Sequence, residues 1–143
     1  MAKLDAYIFF DGTCDEAMRF YEKTLGGKID VMMTHAQSPM AEQAPPGAGD
    51  RIMHAHLTLP GGGGTLMASD DTPGHYKGMN GFSLSLHYDK VDEGKRIFDA
   101  LADGGHVILA FDKTFWAEGF GMLKDRFGTP WMVNVQGAQR PQG

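Results

Sequence analysis

The sequence predicts an α+β fold in which two βαβββ modules form a curved mixed sheet within a single domain, residues 1–143. Three observations predict it. The chain nearly repeats itself at a shift of 78 residues: Phe10-Asp11, Phe20 and Gly26-Gly27-Lys28-Ile29 return as Tyr88-Asp89, Phe98 and Gly104-Gly105-His106-Val107. In each copy an aromatic-Asp step closes an apolar strand, and a Gly-Gly pair ends the helix that follows. Each Gly-Gly pair then leads into three short strand-like stretches separated by turn residues. The copies are expected at about 1–70 and 80–137. Neither buries its apolar face alone, so they are expected to share a core and to enclose any ligand between them.

In chain order, Leu4 to Phe10 reads as an apolar strand and Asp11-Gly12 as a turn. Thr13 stands three residues before Glu16, the spacing at which a hydroxyl and a carboxylate cap the first free amides of a helix. That helix runs from Cys14 to about Leu25, with Ala17, Met18, Phe20, Tyr21 and Leu25 as its buried stripe. A strand from Lys28 to about Thr34 follows, and then a long loop, His35 to Asp50, containing Pro45-Pro46-Gly47, is expected to be mobile. Arg51 to Leu59 alternates as a strand, with Ile52, His54, His56 and Thr58 on one face and Met53, Ala55, Leu57 and Leu59 on the other. Pro60 and Gly61 to Gly64 turn the chain into a strand from Thr65 to Ser69.

The second copy repeats that order. Phe82 to Tyr88 is its first strand, and Asp89 to Asp103 holds a helix with Val91, Ile97, Phe98 and Leu101 on its inner face. Strands follow at His106 to Phe111, about Gly119 to Lys124, and Trp131 to Val135, the last two joined by Asp125-Arg126-Phe127-Gly128. The polar tail from Gly137 to Gly143 is expected to fray.

A hydrophobic fraction of 42% with 22% charged residues describes an ordinary globular composition. A net charge of -5 with singly scattered Lys and Arg argues against nucleic acid as a partner, since phosphate binding needs a clustered basic surface. Acidic residues interrupt the first twenty positions and no apolar run approaches membrane-spanning length, so a cytoplasmic protein without membrane attachment is expected. Cys14, the only cysteine, permits neither an intramolecular disulfide nor a thiolate metal cage within one chain. At the first turn of a helix it is either a nucleophile or a small buried residue, and no partner base lies nearby in sequence.

The doubled order, together with particular phrases, resembles the vicinal oxygen chelate superfamily, which contains glyoxalase I, extradiol dioxygenases and bleomycin-resistance proteins. The phrases are Tyr7-Ile8-Phe9-Phe10-Asp11-Gly12, Glu16-Ala17-Met18-Arg19-Phe20-Tyr21, Ile52-Met53-His54-Ala55, Leu66-Met67-Ala68-Ser69-Asp70, Gly81-Phe82-Ser83-Leu84-Ser85-Leu86, Thr114-Phe115-Trp116-Ala117 and Asp125-Arg126-Phe127-Gly128-Thr129-Pro130-Trp131. Their wording is most similar to the PhnB-like branch, some members of which carry the label 3-demethylubiquinone methyltransferase. No glycine-rich strand-to-helix turn for a nucleotide-like methyl donor is present here, so the label is not read as an activity. The resemblance implies half-barrel sheets lining a cavity, and a homodimer.

Metal enzymes of the superfamily draw His, Glu or Gln ligands from four strands. By helix and turn landmarks those positions fall at Asp5 or Ala6, at His56, at Ser83 and at Met132. His56 is a good ligand and Asp5 an alternative second one, whereas a hydroxyl and a thioether suit hard divalent ions poorly. One imidazole does not hold such an ion against water. No cofactor is therefore expected, and one divalent metal ion, held by His56 and Asp5, is the alternative.

The ligand-binding candidates are Tyr7, Phe9, His54, His56, Ser83, Ser85, Trp116 and Asn134. His54 and His56 share a strand face and either ligate, handle a proton or bond to neighbouring strands. His87 offers the same choice. Ser83 and Ser85 flank Leu84 and leave room for a ligand, or for a closely packed neighbour strand. Tyr7, Phe9, Trp116 and Trp131 are candidate walls for a planar ligand, or core. Two readings follow: a metal-independent protein that binds or sequesters a small apolar or aromatic molecule, and a metal-dependent lyase, isomerase or dioxygenase. The thin ligand set favours the first.

Overall fold

One order of elements runs twice along the chain. In the computed structural model, which describes residues 2–137, β1 (Ala6–Phe10), α1 (Cys14–Leu25), β2 (Lys28–Thr34), β3 (Ile52–Thr58) and β4 (Thr65–Asp70) make the first run. β5 (Leu84–Tyr88), α2 (Val91–Ala102), β6 (His106–Asp112), β7 (Gly119–Lys124) and β8 (Pro130–Val135) make the second. The tail residues 138–143, expected to fray, lie outside the described residues. One compact unit ends at Gly78 and the next begins at Met79. Each has its own four-stranded mixed sheet, ordered β1-β4-β3-β2 in the first unit and β5-β8-β7-β6 in the second. In both, the first and last strands pair in parallel and the other pairs are antiparallel. No helix among the described residues is long and apolar enough to cross a membrane.

In the first unit α1 lays Ala17, Met18 and Tyr21 on the sheet face built by Ile8, Phe10, Ala55, Leu57, Leu66 and Ala68, all buried. Each large apolar side chain so covered contributes about 1.5–3 kcal/mol. The two glycines after the helix have separate jobs. Gly26 takes φ 79°, the left-handed conformation that ends α1, and its amide closes on the Glu22 carbonyl at 3.0 Å. Gly27 lies so close to β3 that a Cβ there would sit 2.5 Å from the Thr58 carbonyl oxygen. In the second unit Gly104 has φ 81°, and a Cβ on Gly105 would strike the Lys124 carbonyl more closely still.

The expected Thr13 to Glu16 cap does not form: Thr13 is at the N-cap position without a side-chain hydrogen bond. The buried carboxylate of Asp70 takes that role from across the unit. Its Oδ1 accepts from the amides of Gly12 (2.8 Å) and Cys14 (3.0 Å), and its Oδ2 from Ile52 (2.9 Å). The second unit has a different buried acid. Asp125 accepts from the amides of Phe127 (2.8 Å) and Thr129 (3.0 Å) and from the Trp131 indole Nε1 (2.8 Å).

The connection 35–51, whose residues 35–50 are expected to be a mobile loop, folds into a bonded excursion that also takes in Arg51, expected as the first residue of the next strand. His35 and Ala36 donate to the Arg51 and Gly49 carbonyls at 3.0 Å, Ala41–Gln43 forms a 3-10 turn, and Ala48 is fully buried. Arg51 closes its base, donating to Asp11 Oδ1 (2.9 Å) and to the Asp71 carbonyl (2.8 Å). Val91, expected on the inner face of α2, is instead exposed at the first helical position, and Gly94 takes its place beside Ile97, Phe98 and Leu101. Gly94 and Gly119 leave the space that the Phe111 ring occupies, and Gly121 leaves room for the Phe98 ring and the Phe111 backbone.

Cys14 is fully buried, and burial pushes its thiol far above the ordinary value of 9.0, with the charges of Asp70 and Asp15 pushing the same way. Of the two readings open for this residue, the small buried one fits its surroundings. Three outcomes follow. Asp70→Ala strands the buried amides of Cys14 and Ile52 at about 1–3 kcal/mol each, so urea unfolding should show a loss of about 2 kcal/mol or more. Gly27→Ala should destabilise beyond the about 1–2 kcal/mol of left-handed strain expected for Gly26→Ala, in the same assay. The native Cys14 thiol should resist iodoacetamide at about pH 8.5 and react fully in urea. The unfolded thiol ionises first, so its contribution to stability is present below about pH 9 and lost as pH rises further.

Candidate functional site

Each sheet carries its helix on one face, and the other face holds most of the chemistry. In the first unit a row crosses the four strands there: Tyr7 on β1, Met67 on β4, His56 on β3 and Val31 on β2. Phe9 and Ser69 form the adjacent pair on β1 and β4, and His54 stands beside Met33. Tyr7 and Phe9 are 40% and 46% exposed, although both belong to a strand whose alternate residues, Ile8 and Phe10, are buried. The Tyr7 hydroxyl shares a 3.2 Å hydrogen bond with His54 Nδ1, and the rings stack at 5.8 Å and 29°. Phe9 lies 5.2 Å from Tyr7. The result is a continuous aromatic wall, with the imidazole fixed by the phenol.

His56 has a different partner. Its Nδ1 lies 3.5 Å from Asp30 Oδ2, and the same carboxylate oxygen accepts from the Thr58 hydroxyl. Asp30 reaches this position because the β2–β3 register slips between Ile29 and Val31, which turns Asp30 out of simple alternation. Sequence reading passed over Asp30, although an acid inside Ile29-Asp30-Val31 is a visible break in an apolar strand.

In the second unit two rows cross the equivalent face. One is Ser85, Met132, Met122 and Leu109; the other is His87, Asn134, Phe120 and Asp112. His87 bonds at both ring nitrogens, Nε2 to the Ser85 hydroxyl at 3.3 Å and Nδ1 to the Asn134 amide at 3.4 Å. Trp116, in the β6–β7 connection, is 46% exposed and packs edge-on against Phe115 (4.8 Å) and Phe120 (5.4 Å). Thr114 Oγ1 holds that connection by accepting from the Trp116 and Ala117 amides. Near the start of α2, Tyr88 stays protonated beyond its ordinary range. Partial burial and Glu93 raise it, against Arg96.

Two candidates move. Ser83 precedes β5 and so does not flank Leu84 within the strand. Trp131, one of the possible walls, is buried and bonded to Asp125, because its strand position faces α2.

The four positions considered for a metal do not form a matched set. Tyr7 and Ser85 occupy the same place in the two repeats, as do Met67 and Met132, so the counterpart of His56 is Met122 and not Met132. Asp5 lies before β1, 4.0 Å from Lys3, and β4 separates its strand from β3. That puts Asp5 and His56 about 10 Å or more apart at the backbone. Among the described residues no three His, Cys, Asp or Glu side chains cluster as metal ligands. Within either unit, then, the donors do not fit a divalent ion.

Surface depressions lie elsewhere among the described residues. One, of about 510 Å³, is open, lined by Asp89, Lys90, Asp92, Glu93 and Arg96, and mixes both signs of charge. Another, about 160 Å³, lies under the 35–51 excursion and is lined by His35, Met40, Gln43, Ala44, Pro45 and Met53.

Comparison with known proteins agrees with this architecture. Protein YjdN of Escherichia coli is 37% identical over 97% of this chain and 99% of its own length. The crystal structure of protein PA1353 from Pseudomonas aeruginosa superposes with a TM-score of 0.86 at 42% identity, covering 95% of this chain and 98% of that one. A PhnB protein from Bacillus cereus, which carries a provisional 3-demethylubiquinone-9 3-methyltransferase label, shares the fold with a TM-score of 0.77 at 23% identity over 94% of this chain and 99% of its own. Residues 3–133 match the Glyoxalase/Bleomycin resistance protein/Dioxygenase superfamily, and the chain belongs to that superfamily.

Proposed function

We propose that this chain binds, and so sequesters, a small planar apolar or aromatic molecule without the help of a metal ion. The observation that carries the reading is the exposed aromatic wall of Tyr7, Phe9 and His54 on the helix-free face of the first sheet. A soluble protein leaves rings of this size open to water at a cost of about 25 cal/mol per Å² of apolar surface, and contiguous exposure of this kind marks places that take up a ligand or partner. Thioethers from Met33 and Met67 extend the wall with soft, adaptable surface. The polar groups on it are few and already oriented: Tyr7 by His54, and His56 by Asp30. That mixture of a broad apolar surface with a few fixed polar groups is how small-molecule sites combine affinity with orientation. Phe120 on the second sheet and Trp116 in the β6–β7 connection offer a like surface, with Ser85, His87 and Asn134 as its polar groups.

The test is a thermal-shift and calorimetric screen of planar aromatic compounds, run with and without EDTA. A binder should raise the Tm equally in both conditions, and Tyr7→Ala should weaken it about tenfold, the equivalent of about 1.4 kcal/mol of lost ring contact. His56→Ala should leave the metal content of the purified protein unchanged. Stoichiometric metal that disappears with His56→Ala, or binding abolished by EDTA, would replace this reading with a metal-dependent lyase, isomerase or dioxygenase.

A further inference from the structure

Soft donor atoms gather in the depression of about 160 Å³ under the 35–51 excursion. An imidazole and two thioethers line it, from His35, Met40 and Met53. They come from three places in the chain: His35 directly follows β2, Met40 stands at the N-cap of the Ala41–Gln43 turn, and Met53 is the second residue of β3.

The local backbone brings them together. The β2–β3 register passes from Met33 opposite His54 to Thr34 opposite Ile52, which leaves Met53 as the extra residue of a bulge. A bulge of this kind re-aims a side chain out of its strand's alternation, and here Met53 takes part in the wall of the depression. Ser38 links the other two. Its buried hydroxyl donates to the His35 carbonyl at 2.9 Å and accepts from the Met40 amide at 3.2 Å. The His35 amide in turn donates to the carbonyl of Arg51, two residues before Met53, at 3.0 Å.

With the backbone so fixed, the donor atoms themselves are uncommitted. Met40 is 59% exposed. The rings of His54, His56, His75 and His87 each have a polar partner, whereas the His35 ring has no hydrogen bond or ion pair among the described residues. None of the residues lining the depression is acidic. Two thioethers and a neutral imidazole carry no charge to offset the dehydration of a hard dication, and thioethers select soft cations over hard ones. Ala44 and Pro45 add apolar wall, which favours a weakly hydrated monovalent ion further.

We infer that His35, Met40 and Met53 form a binding site for a soft monovalent cation, Cu(I). The site lies apart from the aromatic wall of Tyr7, Phe9 and His54, and it does not depend on what that wall binds. It also differs in kind from a divalent centre at His56, because its donors are mainly sulfur.

Anaerobic titration with Cu(I) held by bicinchoninate, in the presence of ascorbate, tests the inference. The protein should withdraw one Cu(I) per chain from that complex, and excess Zn(II) should not displace it. Met40→Leu and Met53→Leu keep the apolar bulk and remove the sulfur, so each should weaken Cu(I) binding about tenfold or more with circular dichroism and Tm unchanged. Cys14→Ala should leave the uptake intact, since the only thiol of the chain is buried elsewhere. Ag(I), a stand-in that does not change oxidation state, should shift the His35 ring resonances and the Met40 and Met53 methyl resonances together. No uptake from the bicinchoninate complex, uptake indifferent to both Leu variants, displacement by Zn(II), or uptake lost through Cys14→Ala or through Met33→Leu beside His54 would each overturn it.

Discussion

The carboxylate of Asp70 is the contact from which the geometry of the first unit follows. It stands at the end of β4 and gathers amides from the turn before α1, from the first residue of α1 and from the first residue of β3. With its start tied to the end of the sheet's second strand, α1 can lie over only one face, and the row of Tyr7, Met67, His56 and Val31 stays uncovered by it. The position equivalent to Asp70 in the second unit is Val135, which pairs with Tyr88 as Asp70 pairs with Phe10. There the buried acid moves to Asp125, at the turn between β7 and β8, and its third donor is a tryptophan side chain. The two repeats thus reach one architecture through different polar anchors.

Much of the fold was legible because its repeat is written into backbone requirements. Gly26-Gly27 and Gly104-Gly105 recur because each helix exit contains one left-handed residue, at the cap of α1 and one residue beyond the extended Asp103 cap of α2, followed by one with no Cβ where the chain passes a neighbouring carbonyl. β1 and β5, and β2 and β6, keep the full shift of 78 residues. The shift then fails because the 35–51 excursion is longer than the β6–β7 connection that replaces it. What sequence reading missed was long-range. A local Thr13 to Glu16 cap is a pattern of neighbours, whereas the free amide of Cys14 is met by an acid 56 residues away, and no spacing rule points to it. The hydrogen bonds that organise residues 35–51 are likewise hidden behind a composition rich in Pro, Ala and Gly.

The site was legible in its faces and not in its pairings. Alternation placed His54 and His56 together and Tyr7 with Phe9, since strand parity needs no tertiary information. It did not say that His54 would bond to a tyrosine two strands away, or that His56 would meet Asp30, because a bulge breaks the parity that the reading relies on. Helix and turn landmarks put His56 and Met132 at corresponding ligand positions of the two repeats, although a thioether is a poor ligand there. The sheet registers place them on the third strand of one repeat and the fourth of the other. A one-strand difference of this kind is invisible without pairing, and it decides whether donors converge.

A repeated module must do different work in its two copies if both are kept in one chain, and the differences here fall on different surfaces. On the helix-free face, the first copy puts two imidazoles on β3 where the second puts Phe120 and Met122 on β7. At the edge the contrast reverses: the first copy holds Asp30 at the bulge and the second holds Ile108. Asp30 belongs to both surfaces at once, since the bulge that sets its charge on the edge strand β2 also brings it to His56. A hydrophobic residue in that place would remove the partner of the imidazole and open the edge together. The polar face of the first unit and the charge on its edge strand therefore depend on one side chain, and the second copy carries an apolar residue at that position.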